Sequence, residues 1–171
     1  IMGCGNPEGA QGHNVGRNAA VLSNLPITTG GTTINRYCSS GMQSISMAAS
    51  QIMAGCYDTV IAGGAETISM MQGKQNMDNF VNERLAEKSP GIYYPMGMTA
   101  EVVAKRYNVS REAQDEYAFE SQMRTAAAQQ AGAYDDEIIP METKMLLMNK
   151  ETGDSKEIDY CVEKDECNRP E

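Results

Sequence analysis

The sequence predicts an α/β fold in which helices pack on a mostly parallel sheet. Two observations carry this expectation: short β-branched or apolar segments alternate with helical periods through the first third of the chain, and glycine-rich turns separate them. Ile1 to Gly3 reads as the end of a strand, and Pro7, Gly9 and Gly12 mark a turn-rich connection into a helix over Asn14 to Ser23. Thr32 to Tyr37 has the β-branched enrichment of a short strand and runs straight into a helix with apolar positions Met42, Ile45, Ala49 and Ile52. Gly55 is expected to end that helix, and Thr59 to Ala62 to form a short buried strand closing at Gly63-Gly64.

The character changes at Met70. Gln72 to Pro95 is polar, shows no sustained period and reads as an excursion. Helices are predicted near Met98 to Tyr107 and from an N-cap at Ser110 to about Ala131, with Glu112 suited to the first turn and Gly132 ending the second helix. Ile138-Ile139, Met145 to Met148 and Ile158 to Cys161 read as strands, the last two joined by a turn at Glu151 to Asp154. The expected division is therefore 1–69, an α/β domain, and 70–171, an α+β excursion.

Composition narrows the function. A chain of 171 residues holds one domain with a real core, or one domain and part of another. With 14 Lys and Arg against 23 Asp and Glu, the net charge is -9 and no basic cluster interrupts it, so nucleic acid is not an expected partner. The weakly polar run Val60 to Ala65 stops at Glu66, far short of the roughly 20 apolar residues of a membrane span. Five cysteines, Cys4, Cys38, Cys56, Cys161 and Cys167, show no CxxC spacing, and His13 is the one histidine, so no metal site is expected. They read as free thiols in a reducing compartment, the cytoplasm or an organelle matrix. No secretory peptide is read, and both ends are expected to be cuts in a longer protein.

The chemistry lies in Ile34-Asn35-Arg36-Tyr37-Cys38-Ser39-Ser40-Gly41-Met42, where a strand delivers a cysteine to the first turn of a helix of small residues. Unpaired N–H groups and the helix dipole favour a thiolate there, and a thiolate is the reactive form. Ser39, Ser40, Gly41, Ser44, Ala48 and Ala49 would let other backbone approach closely. Residue chemistry alone leaves two readings of Cys38, a nucleophile or a small core residue, and the second is commoner. A dinucleotide fingerprint starting at Gly3 and Gly5 fails, because Glu8 occupies its third glycine position.

The same segment resembles the acyl-enzyme signature of the thiolase family across nineteen consecutive positions, Ile34 to Ile52. The resemblance extends to Ile1-Met2-Gly3-Cys4, Ala62-Gly63-Gly64-Ala65-Glu66, Met96 to Glu101, Ser110 to Asp115 with Ser121-Gln122, and Asp136 to Pro140. It implies a partial thiolase-like layered fold, residues 1–69 belonging to the N-terminal domain with the nucleophile helix and 70–171 to the loop domain. Asn-Arg-Tyr-Cys-Ser-Ser-Gly is closest to degradative 3-ketoacyl-CoA thiolases, which cleave 3-ketoacyl-CoA to acetyl-CoA and a shortened acyl-CoA.

By this resemblance Cys38 is the nucleophile and its backbone N–H an oxyanion-hole donor, while Met96 lines the pantetheine channel, with Pro95 where many relatives carry His. Coenzyme A is implied as a substrate, with no permanently bound cofactor, and a homodimer or homotetramer is implied with the strand before Cys38 near the contact. The family's acid/base cysteine and its Gly-His-Pro histidine have no match in this chain. His13, Cys161 and Cys167 do not sit in those motifs, and Asn35, Gly41 and Glu66 read as structural. The isolated chain is therefore expected to be catalytically incomplete. Three rivals are a biosynthetic acetyl-CoA acetyltransferase, a folded interaction fragment, and a β-ketoacyl synthase, whose motif carries acidic or Thr-Ala residues where this chain has Asn35-Arg36-Tyr37. The 13 methionines fit an adaptable acyl channel or ordinary core filling.

Overall fold

A computed structural model describes residues 1–169, and the last two positions of the expected 70–171 segment lie outside them. The chain forms two compact units, Ile1–Asn82 and a second beginning at Glu83. The first holds a parallel sheet of three two-residue strands in the order β2-β1-β3: β1 (Met2–Gly3), β2 (Thr33–Ile34) and β3 (Gly63–Gly64). Met2 faces Thr33 and Gly63 in register, and Gly3 faces Ile34 and Gly64.

Helix α1 (Val15–Leu22) starts where Asn14 Oδ1 accepts the Arg17 N–H. The Asn14 amide also donates to Gly31 O at 2.8 Å, and Thr33 Oγ1 donates to Asn14 Oδ1 at 2.9 Å, so one N-cap ties the helix to β2. Helix α2 (Ser40–Met53) follows a 3₁₀ turn at Tyr37–Ser39 and ends at Gly55, whose φ of +71° is the left-handed conformation that glycine adopts without a Cβ penalty.

The buried stripe of α2 is Ser40, Ser44 and Ala48, spaced four residues apart. The larger residues that give this helix its period point away: Met42 is 77% exposed and Ile45 59%. The reason is distance to the sheet. A Cβ on Gly3 would lie 2.4 Å from Ser40 C and 2.5 Å from Ser40 O, so only small side chains fit between α2 and β1. Ser44 Oγ, fully buried, lies 2.8 Å from Gly63 O and 2.7 Å from Gly41 O and joins the helix to β3. A short helix α3 (Ile68–Met71) buries Met71.

The second unit comprises α4 (Glu83–Lys88), α5 (Met96–Tyr107), α6 (Arg111–Gln130) and an antiparallel hairpin of β4 (Met141–Met148) and β5 (Ser155–Val162). Helix α5 stops at Asn108 in the left-handed region, φ +55°. Ser110 Oγ caps α6 by accepting the Ala113 N–H, and the Glu112 carboxyl lies below its ordinary value because its own backbone N–H, then the Ser110 hydroxyl, stabilise the charged form. The hairpin turns at Asn149, which accepts the Gly153 N–H and donates to Asp154 O.

Several predicted boundaries move. The expected buried strand at Thr59 to Ala62 is not a strand: pairing begins at Gly63, because Ile1 O accepts the Gly63 N–H and Gly3 O that of Ala65, and Thr59 and Ile61 are exposed. Strand Thr32 to Tyr37 shortens to Thr33–Ile34, since Asn35 Oδ1 captures the Tyr37 N–H and starts a turn. Ile138-Ile139 stays irregular, and pairing starts after Pro140, which lacks a ladder donor. The excursion contains α4, and both hairpin strands run to eight residues.

If contact with Ser40 backbone fixes residue 3, Gly3→Ala in the full-length protein lowers unfolding free energy by about 1 to 3 kcal/mol. Gly30→Ala, where a Cβ meets nothing within 4 Å, stays within about 0.5 kcal/mol. Urea unfolding of both variants beside the parent measures the contrast.

Candidate active site

The carboxyl ends of the three parallel strands lead into Cys4-Gly5, Asn35 to Tyr37 and Ala65-Glu66, and these segments converge over the start of α2. In parallel α/β sheets this end is where ligand crevices form. A hollow of about 390 Å³ lies there, bordered by Gly5, Tyr37, Cys38, Gly41, Gly64 and Glu66 among others. A larger hollow of about 770 Å³ in the second unit lies between α6 and residues 163–168, but no cysteine, serine or histidine lines it. The chemistry therefore points to the smaller one.

Cys38 is exposed and occupies the middle of the 3₁₀ turn that opens into α2. Tyr37, just before it, has φ +48°, a left-handed conformation that costs a residue with a Cβ on the order of 1 kcal/mol. Three hydrogen bonds hold it. Asn35 Oδ1 accepts the Tyr37 N–H at 2.8 Å, Ser40 Oγ donates to Tyr37 O at 2.6 Å, and the same Ser40 Oγ accepts the Arg36 N–H at 2.8 Å. The backbone N–H of Cys38 makes no hydrogen bond among the described residues. A strained turn thus presents a thiol and an uncommitted donor at the positive end of a 14-residue helix.

Glu66, which borders the same hollow, is the hub of a network that sequence reasoning missed. Its Oε2 accepts the Gly5 N–H at 2.5 Å, and its Oε1 accepts from the Gln11 side-chain amide and from the Cys4 thiol, the latter at 3.8 Å. Gln11 is 4% exposed; it also donates to Asn6 O at 2.7 Å and accepts the Thr67 N–H at 2.7 Å. No period marks Gln11 as internal, and its buried state depends on Glu66, 55 residues away.

The other candidates belong to other elements of the chain. His13 is exposed, with φ +58°, beside the Asn14 N-cap. Met96, 72% exposed, is the first residue of α5 in the second unit, and Cys161 and Cys167 are exposed in that unit. Asn35 caps the turn by accepting the Tyr37 N–H, and a Cβ on Gly41 would meet nothing within 4 Å.

Comparison with known proteins agrees with this geometry. The thiolase N-terminal domain family matches residues 1–170. The 3-ketoacyl-CoA thiolase of Bacillus subtilis (strain 168) is 46% identical over 173 residues, covering 100% of this chain and 43% of that protein. The peroxisomal 3-ketoacyl-CoA thiolase of Yarrowia lipolytica is 38% identical over 169 residues, covering 98% of this chain and 40% of its own length. The crystal structure of the Bacillus anthracis acetyl-CoA acetyltransferase superposes with a TM-score of 0.72 at 32% identity, covering 98% of this chain and 43% of that one. The chain belongs to the thiolase family. It spans less than half of the length of these relatives, and both the α/β fold and the family resemblance expected from the sequence hold. No helix among the described residues is long and apolar enough to cross a membrane.

Cys4 contrasts with Cys38. It is fully buried, and burial pushes its thiol above the ordinary value of 9.0, opposed by the hydrogen bond with the Asn6 backbone and reinforced, to a lesser extent, by the Glu66 charge and hydrogen bond. A raised folded-state value gives stability that is present below pH 9.0 and lost as pH rises through the raised value. Cys4→Ala should therefore flatten the loss of stability of the full-length protein above about pH 9, read from urea midpoints across the alkaline range. Iodoacetamide applied to the native parent should label Cys38 and spare Cys4.

Proposed function

We propose that this chain carries the nucleophile half of a thiolase active site and that the whole enzyme cleaves 3-ketoacyl-CoA. The observation that carries the reading is Cys38, exposed over a hollow on a strained turn at the start of α2. The Cys38 thiolate attacks the 3-keto carbon, and the tetrahedral oxyanion is steadied by the Cys38 N–H. Collapse breaks the bond between carbons 2 and 3, releasing acetyl-CoA as an enolate that takes a proton and leaving the shortened acyl group as a thioester on Cys38. The thiolate of a second CoA attacks that thioester, forms the shortened acyl-CoA and regenerates the Cys38 thiolate. The groups that move these protons belong to parts of the subunit outside this chain, so residues 1–171 alone do not turn over.

In this reading residues 1–69 form the nucleophile domain and 70–171 contribute to the loop domain, with Met96 lining the pantetheine channel. CoA is a substrate and no permanently bound cofactor takes part. The compartment is a reducing one, the cytoplasm or an organelle matrix. The outward apolar face of α2, including Met42 and Ile45, is covered in the whole subunit, since an exposed apolar patch marks a contact. Strand β2, which lies at the edge of the sheet, is near a contact between identical subunits in a dimer or tetramer. Condensation of two acetyl-CoA molecules is the second reading, favoured by likeness to the Bacillus anthracis acetyltransferase, and it uses the same acyl-Cys38.

Full-length enzyme quenched in acid after mixing with a 3-ketoacyl-CoA should carry an acyl group on the peptide containing Cys38, and Cys38→Ala should lose at least about 10³-fold in turnover. A folded, CoA-binding parent with Cys38 unmodified sinks the enzymatic reading and leaves a binding role. Analytical ultracentrifugation should show a dimer or tetramer; a monodisperse monomer counts against the β2 contact.

A further inference from the structure

We infer that Gln11 and Glu66 are positioning residues: together they clamp Gly5 against the turn that presents Cys38 and so fix the nucleophile's backbone. The inference rests on the function proposed for Cys38. A Cβ on Gly5 would lie 2.9 Å from Glu66 Oε2 and, at ordinary contact distance, 3.5 Å from Tyr37 Cα, so Gly5 lies tight against the carboxylate and alongside the left-handed residue that precedes Cys38. The Glu66 carboxylate meets donors alone in the hydrogen bonds it makes: the Gly5 N–H, the Gln11 amide and the Cys4 thiol. An ionised carboxylate, which only accepts, matches that set, and charge-assisted bonds are the stronger kind.

A glutamine at 66 would turn one N–H₂ toward a donor and break one side of the clamp with almost no change in volume. Gln11 is the brace behind it. Buried, it spans the segment after β1, at Asn6, and the segment after β3, at Glu66 and Thr67, with both the nitrogen and the oxygen of its side-chain amide used. Neither residue needs to touch substrate to act. The oxyanion must meet the Cys38 N–H within hydrogen-bond distance, and a displacement of about 1 Å at a reacting group costs about 10²-fold in rate.

The test uses full-length enzyme and two variants, Glu66→Gln and Gln11→Ala, the second leaving the carboxylate in place. Three quantities are read: kcat against KM for the CoA thioester, the acylation rate of Cys38 in a single turnover, and hydrogen exchange of the peptide spanning residues 35–41. Both variants are expected to lose about 10- to 100-fold in kcat and in acylation, to keep KM within about twofold, and to exchange faster across residues 35–41. If both keep parental kcat and exchange, the clamp is refuted while the acyl-enzyme reading stands. The clamp is equally refuted if activity falls only in step with the folded fraction on a thermal melt. If the parent itself forms no acyl-Cys38, the proposed function fails, and the exchange of residues 35–41 decides whether the clamp orders the turn.

Discussion

Everything around Cys38 depends on how closely α2 lies on the sheet. Gly3 leaves no room for a methyl group beneath Ser40, and Ser44 spends its hydroxyl on Gly63 O. Such contact demands small residues on both sides, which is why the buried face of this helix is Ser40, Ser44 and Ala48 rather than its methionines and isoleucines. Close approach also sets the height of the helix start above the strand ends. The chain leaving β2 must rise from Ile34 to Ser40 in five residues, and it does so through the left-handed Tyr37. The strained turn is thus a consequence of helix-to-sheet distance, and it carries the thiol.

Strain of this kind persists only where surrounding contacts determine it more than once. Asn35 fixes the entry, Ser40 fixes the exit from within α2, and Gly5 closes the side. The first two are local to the turn and the third comes from the segment after β1, so the geometry at Cys38 is in part a tertiary property. A peptide with the same local sequence would lack the third restraint, and a lone residue in the left-handed region would relax toward the commoner conformations.

The alternation of elements and the position of Cys38 are legible in the sequence, because periodicity and the run from Ile34 to Ile52 are local signals. Helix α6 is equally plain, its Ser110 cap and Gly132 stop standing in sequence. What stays hidden depends on distant partners. Two-residue strands in glycine carry no β-branched signal, so local residue types point to Thr59 to Ala62 for the third strand instead of Gly63–Gly64. The burial of Gln11 follows from a carboxylate 55 residues on, and polar residues in a glycine-rich turn ordinarily face water. The direction of α2 is half-visible: its small residues promise close packing, yet nothing local says that Met42 and Ile45 are the ones left outside.

Two cysteines illustrate how the fold divides one side chain between two fates. Cys4 follows β1 into the interior and meets a carboxylate, an arrangement that keeps the proton on sulfur, since burial penalises the thiolate and a neighbouring negative charge repels it. Cys38 sits at a helix start, in contact with solvent. Both segments are drawn into the same cluster of strand ends, and Glu66 serves each of them differently: it accepts a hydrogen bond from the Cys4 thiol, and through Gly5 it braces the backbone beside Cys38. A buried thiol held protonated is a poor nucleophile and a poor target for oxidation, whereas Cys38 is open to solvent. The difference between these two cysteines is therefore set by burial, before any ligand arrives.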